Sequence, residues 1–258
     1  MIDFHSHILY GLDDGADSMT ESLAMAKSAV KDGVKVIYAT PHHLHPLFDY
    51  NQEELYEHFD DLKKELINED IPVELRIGQE IRISGDLVEQ LNSNQALTLG
   101  NSDKYVLIEF PSDHVPEYAQ RLLFDVQVAG YQPIIAHPER NKEIMQKPDV
   151  LYKLVRDGNL SQVTSASVTG DFGKKIQEFS FDLLEHNLIH FVASDAHNTT
   201  TRGFTSTSAW ESIRREFGLD MVYFLRENAE ILAEDGHVIS DEPFRFKRKK
   251  KKKIFNLF

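Results

Sequence analysis

The chain contains no cysteine. Disulfides, thiolate metal sites and a cysteine nucleophile are excluded at once, and the composition fits a reducing cytoplasm. Long apolar runs are missing too: none approaches the roughly 20 residues needed to cross a bilayer. The N-terminus MIDFHSHILYGL has neither a basic leader nor a small-residue cleavage site, so no signal peptide is expected. No two aspartates stand two positions apart, which argues against an aspartyl-phosphate enzyme.

What remains is a soluble globular composition, 41% hydrophobic and 27% charged over 258 residues, enough for one large α/β domain with a sizeable core. Its charge is unevenly placed. The tail RFKRKKKKKIFNLF (245–258) holds eight of the 28 basic residues and no acid, so residues 1–244 carry −22 of a total of −14. Such an acidic body repels nucleic-acid backbones and tolerates cations.

Apolar runs alternate with helical stripes. Strands are expected over 1–7, 34–43, 72–80, 104–110, 132–140, 160–167 and 189–197, and helices over 18–33, 52–70, 115–130 and 170–187. Ser18 or Thr20 would cap the first helix and Gly33 would stop it. Seven strand–helix units predict a parallel barrel with helices outside, a distorted TIM-like (β/α)7 arrangement, with a doubly wound open sheet as the alternative. The chain divides into a domain over 1–244 and a detachable basic tail over 245–258.

Each expected strand but the sixth closes on residues of one chemical kind. The first ends in His5 and His7, with Asp14 in the loop that follows; the second in His42 and His43; the third in Glu80; the fourth in Glu109; the fifth in His137. In the seventh, IHFVASDAHN, Asp195 and His197 stand two apart, on one side of the segment if it stays extended. A barrel would gather these positions at its C-terminal mouth. Imidazole and carboxylate donors without sulfur suit manganese, zinc or iron, and nine candidates suffice for up to three ions. Any one of them alone reads as an ordinary turn or surface residue; their joint placement at strand ends carries the metal reading. Arg140, three residues past His137, and Arg202, five past His197, would sit beside the ions, where guanidinium forks suit a tetrahedral oxyanion. Arg82 is a weaker candidate. The stretch TGDFGKK (169–175) looks like a phosphate loop but lacks the required glycine spacing, and Lys175 stands where the hydroxyl residue belongs, so it reads as a tight turn opening a helix.

Taken in order, the HxH pair, the histidine of the second strand, the glutamate of the third, the histidine of the fifth and the final DxH resemble the polymerase-and-histidinol-phosphatase (PHP) superfamily. MIDFHSHILYGLDDGA, ATPHH, GQEIRI, IEFP, IAHPERN and FVASDAHN are closer still to the manganese-dependent protein-tyrosine phosphatases of bacterial capsule operons, the CpsB/CapC type. This resemblance spans about residues 1–232. It implies a distorted barrel of seven strand–helix units, in agreement with the count above. It further implies one ion on His5, His7, Glu80 and Asp195, a second on Glu80, Glu109 and His137, and a third on Asp14, His42 and His197. Glu109 stands where many members of the wider superfamily have a histidine, and the extra carboxylate favours a harder ion such as manganese.

The implied reaction is hydrolysis of phosphotyrosine by ion-activated water, with Arg140 and Arg202 as catalytic phosphate ligands. The implied partner is a bacterial tyrosine kinase with a tyrosine-rich tail that regulates capsular polysaccharide synthesis. A small-molecule phosphatase, such as one for histidinol phosphate, and a phosphodiesterase or exonuclease are the alternatives; the acidic body disfavours nucleic acid. A non-catalytic scaffold held at a kinase complex by its tail is a third, disfavoured by the full set of candidate ligands. The tail itself admits two readings, a solvated disordered charge run or a weak contact to the inner face of the cell membrane, with the apolar end IFNLF favouring the second.

Overall fold

Proline shapes the architecture near its start. The run 34–43 forms β2 (Val36–Ala39) and then breaks, because Pro41 has no N–H to give to a ladder; the chain resumes as β3 (His42–His43). The neighbouring run breaks at the same level, into β4 (Glu74–Ile77) and β5 (Glu80–Arg82). Glu80 therefore opens a short strand instead of closing a long one, and its N–H donates to Pro41 O at 3.2 Å.

The structure, a computed structural model, describes residues 1–246. The remaining strands are β1 (Ile2–Ser6), β6 (Tyr105–Glu109), β7 (Gln132–Ala136), β8 (Leu160–Thr164) and β9 (Phe191–Ala193). One parallel sheet has the order β1-β2-β4 and a second the order β3-β5-β6-β7-β8-β9. With β2/β3 and β4/β5 each counted as one bent stave, seven staves follow one another around a distorted barrel. The two sheets meet between β1 and β9 through the bridge Ser6↔Ala196, where Asp195 N donates to His5 O and His7 N to Ala196 O, both at 2.8 Å. Buried Asp3 reinforces this seam by accepting from Ser194 N and from His5 N. The fold is thus the expected α/β class.

The helices are α1 (Met19–Lys31), α2 (Gln52–Asn68), α3 (Leu87–Asn92), α4 (Ala119–Val128), α5 (Lys142–Gln146), α6 (Asp149–Arg156), α7 (Ser165–Thr169), α8 (Lys174–Glu185), α9 (Ser206–Phe217) and α10 (Leu219–Ala233). Ser18 caps α1 by accepting from Glu21 N, and the helix buries Met25, Ala26 and Ala29. A reciprocal capping box between Asn51 and Glu54 starts α2, which buries Leu55, Phe59, Leu62 and Leu66 at helical spacing. Removing one such side chain, Leu62→Ala, costs about 2–5 kcal/mol. The run 160–167 is strand only to Thr164; its last residues turn into α7.

Strand alternation divides the core. Phe4, Tyr38, Tyr105, Leu107, Ile134, Ala136, Phe191 and Ala193 form one cluster. Val106, Ile108, Ile135, Val163 and Val192 belong to another, which includes α4 residues Leu122, Leu123 and Val126. Tyr105, Leu107 and Glu109 share one face of β6, so the face that begins in the core ends at a carboxylate.

Packing continues past the expected boundary at 244: the Phe246 ring stacks on His186 with centroids 4.2 Å apart, and the Arg245 guanidinium lies 5.0 Å from the Tyr152 ring. The rest of the expected basic tail, from Lys247 on, lies outside the described residues. Among the described residues no helix is long and apolar enough to cross a membrane.

Candidate metal centre

His5 lies in β1, one residue before its end at Ser6, and His7 just past it; both imidazoles are fully buried. Their orientation is fixed from behind. His5 Nδ1 donates to Gln162 Oε1 at 3.0 Å, His7 Nδ1 to Asp13 Oδ2 at 2.6 Å, and His197 Nδ1 to Asp195 O at 2.9 Å. With Nδ1 carrying the proton in each ring, the three Nε2 lone pairs are left for a cation, the arrangement that metal-binding histidines use.

Asp195 is not on an extended segment, as alternation from β9 would have it. Its φ of 52° lies in the left-handed region, as does that of His137 at 32°. These kinks turn both side chains out of the alternation of their strands. The DDGAD loop folds just as tightly under His7: a Cβ on Gly15 would lie 2.0 Å from His7 O, so only glycine fits there.

Four donor atoms then converge. His5 Nε2 is 3.4 Å from His7 Nε2, from Glu80 Oε2 and from Asp195 Oδ1. His7 Nε2 is 3.4 Å from Glu80 Oε2 and 3.3 Å from Asp195 Oδ1. Five of the six separations are thus 3.3–3.4 Å; a regular tetrahedron of that edge would have its centre about 2.1 Å from each corner, the bond length of a first-row divalent ion to nitrogen or oxygen. His197 Nε2 is buried without a hydrogen-bond partner, and Glu80 Oε2, though His42 Nδ1 is 2.9 Å away, has no well-aligned one, a costly state that a cation resolves. The donor set fits a metal.

A second group joins His7, Asp14, His42 and His197, with Asp14 Oδ1 at 3.4 Å from His42 Nε2 and 3.3 Å from His197 Nε2. A third joins His42, Glu80 and Glu109. His137 was expected beside Glu80 and Glu109; it donates from Nε2 to Glu80 Oε1 at 2.7 Å, while His42 Nδ1 lies 2.9 Å from Glu80 Oε2. Glu80 belongs to two of the three groups and also accepts from His137.

Charge follows burial and neighbours. Burial alone would raise the Glu80 carboxyl, but His5, His42 and His137 hold it well below the usual carboxylate range. Asp195 is likewise held down against burial by Arg140 and His5. Burial, seconded by His7, lowers His197 to about 4, so it stays neutral. Against burial, Glu80 and Asp195 raise His5, Asp13 raises His7, and Glu80 raises His42 to about 9; metal binds the neutral imidazole, so an ion would displace protons from these three.

Both arginines reach the site. Arg140 Nη2 donates to Asp195 Oδ2 at 2.6 Å and Arg202 Nη2 to the same oxygen at 3.0 Å. The Nε–H of each is buried and unpartnered. Arg82, the weaker candidate, is occupied: its Nη1 donates to Glu109 Oε2 at 2.8 Å. A cleft of about 270 Å³ opens above Glu80 and Asp195, walled by His45, Phe110, Pro111, Arg140 and Arg202.

Sequence reasoning missed Asp13 and Gln162. Asp13 accepts from His7, from His42 N at 2.9 Å and from Gly15 N at 2.9 Å, tying three parts of the site together. Its only signal was the acidic doublet itself. Gln162, in the interior of β8, gave none.

The family model described as "Capsular polysaccharide synthesis, CpsB/CapC" matches residues 1–234. The tyrosine-protein phosphatase YwqE of Bacillus subtilis is 49% identical over 258 residues, the whole of both chains. The putative tyrosine-protein phosphatase CapC of Staphylococcus aureus is 42% identical over 204 residues, 79% of this chain and 80% of that one. A crystal structure from work on YwqE of Bacillus subtilis and CpsB of Streptococcus pneumoniae, described as unique metal-dependent tyrosine phosphatases, superposes with a TM-score of 0.93. It is 48% identical and covers 96% of this chain and 100% of its own.

Proposed function

The chain belongs to the CpsB/CapC family of capsular polysaccharide synthesis, and from that premise we propose that it is a metal-dependent phosphatase that hydrolyses phosphotyrosine. The observation that carries this reading is the convergence of His5, His7, Glu80 and Asp195 donor atoms on one point, with two arginines anchored on the far oxygen of the same Asp195.

Hydrolysis breaks the bond from phosphorus to the tyrosine oxygen and forms one to a water oxygen. The ligands named above would hold divalent ions, which would supply Lewis acidity and lower the pKa of that water. The remaining work belongs to the chain. Arg140 and Arg202 line the cleft, and their planar, forked donors are suited to phosphoryl oxygens that gain charge in flight. Asp195 holds both guanidinium groups without satisfying them. The tyrosine ring has His45, Phe110 and Pro111 to lie against at the cleft wall. With a pKa near 10, its phenol leaves with less need of protonation than a serine alkoxide would. With no cysteine in the chain, no thiophosphate route exists.

Manganese is the ion proposed, supported by a donor set in which four carboxylates join five imidazoles and no sulfur. The proposed partner is a tyrosine kinase of the capsule pathway. The proposed location is the cytoplasm at the inner face of the membrane, where the basic tail 245–258 adds a salt-sensitive attraction. Co-sedimentation with anionic vesicles, with and without residues 245–258, tests the tail; equal partitioning would remove it from the proposal. For the activity itself, a manganese-supplemented assay compares a phosphotyrosine peptide with histidinol phosphate and single-stranded DNA. Preference for the peptide is expected, and turnover of either rival at a higher rate would replace this reading.

A further inference from the structure

The look-alike phosphate loop TGDFGKK has a different role in the structure. Thr169 ends α7 and Lys174 begins α8. Between them Gly170 to Gly173 form a tight turn, closed by Gly173 N donating to Gly170 O at 2.8 Å. Both glycines have positive φ, 92° and 95°, which a residue with a side chain rarely adopts. The turn is braced from both sides. Thr169 Oγ1 donates to Asp171 Oδ2 at 2.6 Å, and Gln177 Nε2 donates to Val168 O at 2.9 Å. This construction holds up one large side chain, Phe172, half-buried, with the Arg140 guanidinium 5.6 Å from its ring centroid.

We infer that Phe172 is a positioning residue: its ring fixes the plane of the Arg140 guanidinium so that the arginine's free N–H groups meet a phosphoryl group in the cleft. A single hydrogen bond to Asp195 Oδ2 sets the distance of Arg140 but lets a planar fork swivel. A ring lying against the fork removes that freedom, and it does so through a quadrupole and dispersion contact that needs no counter-charge. The distinction matters here because Asp195 is shared. Its other oxygen lies among the His5 and His7 nitrogens, and Arg202 uses the same oxygen as Arg140. A cation drawing on Asp195 weakens its hold on the arginines, whereas the Phe172 contact is unaffected.

This role rests on the phosphatase reading only in taking Arg140 as a phosphate ligand, so the test reads binding of inorganic phosphate and needs no turnover. Calorimetric titration of phosphate into manganese-loaded protein compares wild type, Phe172→Leu, Phe172→Trp, Arg140→Ala and the double variant Arg140→Ala/Phe172→Leu, with metal content measured in each. Phe172→Leu keeps an apolar side chain but loses the ring, and is expected to weaken phosphate about tenfold at unchanged metal content. Phe172→Trp retains a ring and should bind within about twofold of wild type. In the Arg140→Ala background the leucine should add nothing, the signature of a residue that acts through another. Wild-type affinity in Phe172→Leu, an undiminished further loss in the double variant, or no loss on Arg140→Ala itself would each overturn the assignment.

Discussion

His7 Nδ1 and Asp13 Oδ2 are 2.6 Å apart, both buried, and the same carboxylate oxygen also accepts from the His42 backbone. One group thus aims an imidazole from the first strand and pins the start of the third. Asp13→Asn keeps the shape but gives up the charge that makes His7 a stronger donor to a cation. We expect divalent-ion affinity to fall roughly 10–100-fold with secondary structure unchanged. Isothermal titration of metal-free protein measures this, and an unaltered affinity would show that Asp13 is only a loop residue.

Metal removal should act on activity and stability together. Ions bind the folded site and not the dispersed ligands of the unfolded chain, so chelation should lower the melting temperature by an amount that depends on free ion concentration. Manganese should restore both. Thiol alkylating agents should do nothing, since there is no thiol to modify. Full activity in exhaustively metal-free protein would end the metal reading.

Arg140→Ala and Arg202→Ala should each lower kcat/KM roughly 100-fold while metal content stays intact. Lys replacements should rescue only in part, because an ammonium lacks the second, parallel N–H of the fork. Metal loss in either variant would instead mean that the arginine's main task is to hold Asp195.

A fourth expectation concerns pH and a histidine away from the cleft. Burial lowers His190 to about 4 from 6.5, and its Nδ1 accepts from Ser161 N at 3.1 Å. As pH falls through 6.5 the unfolded chain takes up a proton that the folded chain refuses. The stability due to neutral His190 is therefore whole above 6.5, declines between 6.5 and 4, and is gone below. At about 1.4 kcal/mol per pH unit this sums to about 3 kcal/mol. His190→Gln should flatten the dependence of the urea midpoint on pH in that window; an unchanged slope would assign it to other groups.

The legible part of this molecule was the part written on strand ends. His5, His7, Glu109 and His137 each close an apolar run, and parallel strands bring such ends together whatever the details of each turn. The breaks were not legible. Pro41 could be read as a stop, but the break of the next stave at Gly78 lies under Leu99, whose Cδ2 is 3.1 Å from where a Cβ would stand; that close approach is a tertiary fact. Asp195 and His137 kink through positive φ, so period-two alternation gave their positions and not their directions. Asp13 and Asp14 are chemically identical neighbours, and nothing in DDGAD says which of them faces the histidine ring. Gln162 has the sequence environment of a buried strand residue and is found only when one asks what holds His5 Nδ1.

The seam between β1 and β9 joins residues about 190 positions apart in the chain. His5 and His7 emerge first, while Asp195 and His197 come almost 190 residues later; Arg202 lies 188 positions from Asp14. N-terminal segments begin to fold during synthesis, yet a chain stopped short of Asp195 holds two of the four corners of its tightest ion site with a third, Glu80, and lacks the fourth. A chain that ends before Asp195 therefore cannot close this site, and its buried imidazoles and Glu80 carboxylate are left without their fourth partner.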